Sequence, residues 1–145
     1  MQATIQRMKA KRAAGESGFT LIELLVVVVI IGVLVAIAIP LYLNYKKGAE
    51  DKSAQSDARN AVVAIEQCYT DGGNSYQAAA IVASATNAAM TCGTTGTATL
   101  VVTKGNQLSY TYSVGPPTSY TVAVKNINTT HTFTYSSLTG AIVQS

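Results

Sequence analysis

The chain has 145 residues, of which 48% are hydrophobic and only 12% charged, with a formal net charge of +3 and two cysteines. That is one domain's worth of length, and so little charge is the profile of a chain that carries a membrane span. The basic excess lies in the leader, where Arg7, Lys9, Lys11 and Arg12 stand against Glu16, while the basic and acidic residues beyond it balance; once that leader is set aside too little charge remains for nucleic acid to be a strong direct ligand.

Residues 1–18 are polar, basic and rich in Ala and Lys, without hydrophobic periodicity. Such a segment belongs to targeting and not to the fold. Lys and Arg that flank a span stay cytoplasmic, so the leader is expected inside and the C-terminal part outside.

The stretch from Gly18 to Pro40 is apolar almost throughout, and Glu23 is its one charge. A helix from Phe19 to Leu43 rises ~1.5 Å per residue and is roughly 37 Å long, enough to cross a hydrocarbon core of about 30 Å with some tilt. A cleavable secretory segment is shorter, on the order of 7–15 apolar residues, and ends in a small-residue site; no such site follows here.

The residues Gly18-Phe19-Thr20-Leu21-Ile22-Glu23, set between a basic leader and an uninterrupted span, resemble the processing site of type IV prepilins of the type IVa kind. Pro40 also matches that family, and the resemblance is strongest over residues 15–70. It implies that a membrane peptidase cuts between Gly18 and Phe19, that the new N-terminal Phe19 is N-methylated, and that Glu23 directs assembly. An ordinary signal anchor carrying this hexapeptide by chance is the competing account, because short motifs alone mislead. Glu23 argues against it. A carboxylate in a span costs at least ~2.5–3.5 kcal/mol on insertion scales and needs a role or a partner. The start of a helix favours negative charge by ~0.3–1 kcal/mol, and in a filament the family implies a partner in the ammonium of a neighbouring subunit, which sets register.

Pro40 removes a backbone donor and clashes with the preceding turn, so a kink is expected there. Tyr42 and Tyr45 followed by Lys46 and Lys47 read as the outer interface anchor of the span. Between about Leu41 and Tyr69 the helix turns amphipathic: Ala54, Ala58, Ala61, Val62, Ile65 and Tyr69 recur at three- and four-residue steps. Asp51, Asp57, Glu66 and Asp71 read as a solvated, ion-paired face. Gly72-Gly73-Asn74 ends the helix.

Residues 75–97 are rich in Ala, Thr and Ser and are expected to form only a connecting region, with Gln77 to Met90 as a weak short helix. From Thr97 the period becomes two. Leu108, Tyr110, Tyr112 and Val114 alternate with polar residues, as do Tyr120, Val122 and Val124, then Phe133 and Tyr135, and Ala141–Val143 forms a last short strand. Turns fall at Lys104-Gly105-Asn106, Pro116-Pro117 and Leu138-Thr139-Gly140. Four or five short strands suggest an antiparallel meander whose apolar face is covered by the long helix.

Cys68 and Cys92 both fall outside by this topology, where disulfides persist, and a bridge over ~25 residues is worth roughly 3–4 kcal/mol. Two free thiols or a metal pair are the alternatives; with only the distant His131 to add, the cysteines make a poor zinc site, since structural zinc wants four ligands. No nucleophile, acid–base or phosphate-binding constellation is present in the sequence, and His131 reads as an exposed strand or turn histidine. No enzyme activity and no cofactor are expected.

The fold class is therefore α+β: a long N-terminal helix, membrane-spanning then amphipathic, packed on a small antiparallel sheet. The segments are a cleaved leader (1–18), the span and filament-core helix (19–45), the amphipathic helix half (46–71) and the pilin head (72–145). The resemblance implies a structural subunit of a type IV pilus, held in the cytoplasmic membrane before assembly and extracellular after it. Its partners would be copies of itself, the prepilin peptidase, the assembly platform with its ATPase, and membrane lipid. A pseudopilin of type II secretion or competence is the nearest alternative, and a membrane-anchored binding module the one from another class. Adhesion, twitching motility and DNA uptake are all open to such a filament.

Overall fold

A computed structural model of the chain describes residues 18–145; the basic residues of the leader lie outside the described residues. One helix, α1 (Leu21–Asp71), is followed by β1 (Ile81–Ser84), β2 (Ala88–Cys92), β3 (Gly96–Leu100), β4 (Asn106–Ser113), β5 (Ser119–Asn126), β6 (Thr132–Ser136) and β7 (Ala141–Gln144). The chain separates into two compact units, one ending at Tyr42 and one spanning Leu43–Ser145.

In the first unit every side chain from Phe19 to Tyr42 is exposed. The helix is long and apolar enough to cross a membrane, and none of its most apolar window is buried. The helix runs unbroken through Pro40.

In the second unit the helix buries Ala54, Asp57, Ala58, Ala61, Ile65 and Cys68. These are steps of three and four residues, one stripe of a 3.6-residue repeat. Three alanines in that stripe let the helix axis lie close to the sheet, where Leu108, Tyr110, Val122, Val124 and Phe133 complete the core. Fully burying one Val, Leu or Ile side chain contributes ~1.5–3 kcal/mol. The helix ends as its glycines dictate. Gly73 takes φ 73°, and the Asn74 N–H donates to the Tyr69 carbonyl at 2.9 Å; this is a Schellman closure with glycine in the left-handed position.

The main sheet has five strands in the order β1-β4-β5-β6-β7, all antiparallel, so β4 to β7 form a meander and β1 adds to its edge. The register pairs Tyr110 with Val122, and Val122 with Tyr135, on the covered face. Val114 departs from the expected alternation: β4 ends at Ser113, and Val114 is 84% exposed.

The expectation of a mere connecting region over 75–97 is corrected. It holds β1, and it holds the β2–β3 hairpin, with Met90 paired to Ala98. Alanine, threonine and serine give little local strand preference; what places β1 is its ladder with β4, from Ile81–Tyr110 to Ser84–Gln107, a pairing distant in sequence.

Candidate processing and assembly site

α1 opens with Thr20 as its N-cap. The Thr20 N–H donates to Glu23 Oε2 at 2.8 Å, the Thr20 hydroxyl donates to the same oxygen at 2.6 Å, and the Glu23 N–H donates back to Thr20 Oγ1 at 3.3 Å. This is a capping box: residues three apart each satisfy an N–H that the first helical turn leaves orphaned. Two consequences follow. Glu23 has a structural use within its own chain, and its contacts with Thr20 fall on one oxygen, leaving Oε1 out of the box. The sequence reading missed Thr20; the pattern Thr-x-x-Glu ahead of an apolar run was the available signal. Gly18 and Phe19 precede the first turn, and both are exposed.

Pro40 also lies in the first unit, and the cysteines lie in the second. Cys68 and Cys92 form a disulfide, with Cα atoms 5.6 Å apart. Around it the end of α1 meets the β2–β3 hairpin backbone to backbone. A Cβ on Gly72 would run into the carbonyl of Cys92, and one on Gly96 into the carbonyl of Cys68. The Thr95 hydroxyl adds a bond of 2.9 Å to the Asp71 carbonyl. The disulfide thus clamps a contact that already excludes side chains.

The expected solvated, ion-paired acidic face of the helix is corrected at Asp57 and Glu66, which turn to the sheet, whereas Asp71 is exposed. Asp57 is buried in the apolar stripe, 3% exposed. It accepts from the Thr103 N–H at 2.7 Å, the Thr103 hydroxyl at 2.8 Å and the Asn106 amide at 2.7 Å. Asn106 in turn accepts from Asn126 at 2.8 Å, so the helix, β4 and β5 share one buried polar chain. Three donors are what a buried carboxylate without a cation requires. Glu66 accepts from the hydroxyls of Tyr120 at 2.5 Å and Tyr76 at 3.3 Å. These rings belong to a tyrosine cluster: Tyr69 and Tyr76 stack at 4.2 Å, and Tyr76 and Tyr120 tilt at 5.0 Å. Burial first, then the negative charge of Glu66, pushes the Tyr76 hydroxyl up to about 12. Tyr110 also rises to about 12, chiefly by burial, and Tyr120 rises further for the same reasons as Tyr76.

His131 is corrected as well. Its Nδ1 lies 2.6 Å from Asp51 Oδ2, and it is only half-exposed. Beside it the Asn128 amide donates to Glu50 at 2.9 Å, and Glu50 also faces Lys46 at 3.7 Å. The Thr129 hydroxyl approaches Asp51 without a well-aligned hydrogen bond. Partial burial works to raise the Asp51 carboxyl, but Thr129, the His131 ring and the Lys52 charge together hold it below the ordinary carboxylate value. The loop between β5 and β6 is therefore tied to the helix at two successive residues, Glu50 and Asp51. Among the described residues no three His, Cys, Asp or Glu side chains gather as a metal site.

The family model described as the prokaryotic N-terminal methylation motif matches residues 14–39. Over 57 residues the chain is 49% identical to the type IV major fimbrial protein FimA of Dichelobacter nodosus, covering 39% of this chain and 36% of that protein. The likeness is to the type IV pilins. A probable minor fimbrial protein of Dichelobacter nodosus is 46% identical over 55 residues, covering 38% and 35% of the two chains. A fimbrial protein of Pseudomonas aeruginosa is 44% identical over 57 residues, covering 39% and 37%. The match thus spans little more than a third of these relatives' length, and no solved structure matches the chain. The pilin likeness rests on the methylation motif and these alignments; the α+β head is described by the structure alone.

Proposed function

We propose that this chain is a type IV prepilin, cut between Gly18 and Phe19, methylated on Phe19 and assembled through α1 into an extracellular helical homopolymer. The observation that carries the reading is the first unit. It presents a continuous apolar helix, wholly exposed, with one carboxylate at its start. Exposed apolar surface on this scale calls for a bilayer or a partner, and the methylation motif and the fimbrial relatives favour both in turn: lipid before assembly, other copies after it. Glu23 then serves twice. Within the chain it closes the capping box with Thr20; between chains it meets the ammonium of a neighbouring Phe19 and fixes register in a bundle that apolar packing alone leaves loose. The leader faces the cytoplasm and the head the outside. The peptidase, the assembly platform and its ATPase act on the chain as partners. An anchored binding module would gain only the helix cap from Glu23, and the named relatives are fimbrial proteins.

The test is the N-terminus of the surface-exposed protein. Mass spectrometry is expected to find it at a methylated Phe19, and Gly18→Leu is expected to leave the full-length precursor in the membrane. A surface form that begins at Met1 or Gln2 overturns the proposal.

A further inference from the structure

The second unit distributes its charge unevenly along the helix. The contacts fix which end of the sheet lies where: Glu50 and Asp51 meet the β5–β6 loop and Ser53 and Asp57 meet Asn106, whereas Glu66 meets Tyr120 and Cys68 meets Cys92. The Ile127 N–H donates to the Gly105 carbonyl at 2.9 Å, so the turn before β4 and the loop after β5 sit together. The end nearest Leu43 therefore carries Lys104, Lys125 and Ile127 beside Lys46, Lys47 and Lys52 of the helix. All five lysines are exposed, and Ile127 is 62% exposed. The acidic groups of this end are already engaged. Glu50 faces Lys46 and Asn128, Asp51 faces His131, and Asp57 is buried under three donors. The opposite end holds Glu66 and Asp71, and only Arg59 of the described cations lies between.

This basic rim stands where the chain leaves the apolar segment. From Lys47 to Asp51 is a single helical turn, ~6 Å of rise, and a headgroup layer adds roughly 5–7 Å to each side of the hydrocarbon core. We infer that, before assembly, the basic end of the head docks on the anionic headgroups of the outer bilayer surface, with Ile127 at that surface and Lys104 and Lys125 supplementing Lys46 and Lys47. This rests on the proposed span. The occupant is lipid and not a second copy because Leu43, where the chain enters the second unit from the proposed span, lies at this end of that unit, and because topology alone asks for no lysines on the outer side. Each lysine near an anionic surface strengthens docking about fivefold, and salt weakens it within a Debye length.

The chain contains no tryptophan, so single tryptophans report position in the full-length protein reconstituted in vesicles. Three variants are compared: Ile127→Trp, Leu138→Trp at the far end of β6, and Val33→Trp in the span. In vesicles containing phosphatidylglycerol, a nitroxide on the lipid headgroup quenches Ile127→Trp and spares Leu138→Trp, while brominated acyl chains quench Val33→Trp. Replacing Lys104 or Lys125 by Gln lowers the docked-to-undocked ratio about fivefold for each lysine, and in purely zwitterionic vesicles this dependence disappears. If Val33→Trp is quenched and Ile127→Trp is not, the docking is overturned while the span stands. If Val33→Trp is unquenched, the span itself fails. Shielding of Ile127→Trp that follows protein density and ignores lipid charge makes a second copy the occupant and also overturns the inference.

Discussion

The two halves of α1 share one backbone and differ in everything that surrounds it. From Leu21 to Tyr42 all residues are exposed, and nearly all are apolar. From Ser53 to Cys68 the helix alternates, sealing small alanines and one carboxylate against the sheet and leaving Arg59, Asn60 and Val63 outside. The first half is defined by composition: any rotation of it meets its surroundings equally well, except at Glu23. The second half is defined by register: moving it by one residue would lift Asp57 off its three donors. A polar group at one position supplies the uniqueness that an all-apolar surface lacks, and each half contains one: Asp57 is buried and Glu23 is exposed. Asp57 fixes the helix against its own sheet, and Glu23, on the proposed function, fixes it against another chain.

The sharpest way to break this comparison is at Glu23. Glu23→Gln keeps the capping box, which accepts either side chain, and removes only the charge. The variant is expected to stay in the membrane, inserted as well as the parent or better, since the span loses a carboxylate costing ~2.5–3.5 kcal/mol. Filament yield is expected to fall to nearly nothing. Measuring membrane-bound and sheared-filament fractions in parallel decides it, and normal filaments from Glu23→Gln would confine the residue to its cap.

Next in size come the links that fix the second half. Reducing the Cys68–Cys92 bridge releases a loop with a separation of 24 residues, and is expected to lower head stability by about 3–4 kcal/mol on the loop-entropy account. Denaturant unfolding of the protein in micelles, with and without reductant, measures it. Asp57→Ala strands Asn106 and the Thr103 N–H in the interior and is expected to cost about 2–3 kcal/mol. An Asp57→Ala protein as stable as the parent would show that the alanine stripe alone sets the register.

Much of this was legible in the sequence, and the failures have common causes. The long apolar helix showed itself by length, and β4, β5 and β6 by alternation at Leu108–Tyr110, Tyr120–Val124 and Phe133–Tyr135, because each apolar residue there faces the core. The strands between residues 81 and 100 were hidden, since alanine and threonine carry no strong strand preference and β1 is defined by a ladder to distant β4. Asp57 was misread because carboxylates on helices are usually solvated; yet it sits three residues after Ala54 and four before Ala61, in the buried stripe, and that spacing was there to be used. His131 and Asp51 are 80 residues apart, and no local pattern joins them. Thr20 was overlooked because the capping pattern overlaps the Gly18–Glu23 motif at the start of the apolar run.

A smaller effect, read at alkaline pH, separates the tyrosine cluster from the apolar half. Tyr76 and Tyr110 ionise at about 12 in the folded chain against an ordinary value of 10.0. A raised value favours the neutral phenol in the fold, so the stability it contributes is complete below about pH 10 and drains away as pH rises through about 12. Spectral titration of tyrosinate is expected to show late-ionising rings that titrate normally once the head is unfolded. Helicity of the apolar half, which holds only Tyr42 at its end, should not follow that transition.

The smallest expected effect is the most discriminating for Glu23. Thr20→Ala removes the hydroxyl that donates to Glu23 and accepts from its N–H, and loss of such a cap costs helices about 1 kcal/mol. The first turn should fray, visible as faster amide exchange at Glu23 and Leu24 in micelles. The carboxylate keeps its charge and the backbone N–H of residue 20 as a donor, and loses only the hydroxyl. If charge sets register, Thr20→Ala assembles at near-normal yield while Glu23→Gln does not. If the stiffness of the capped turn is what the filament requires, the order reverses: Thr20→Ala fails and Glu23→Gln, with its box intact, assembles. Exchange rates and filament yield measured on both variants therefore assign the residue to its own helix or to the next one.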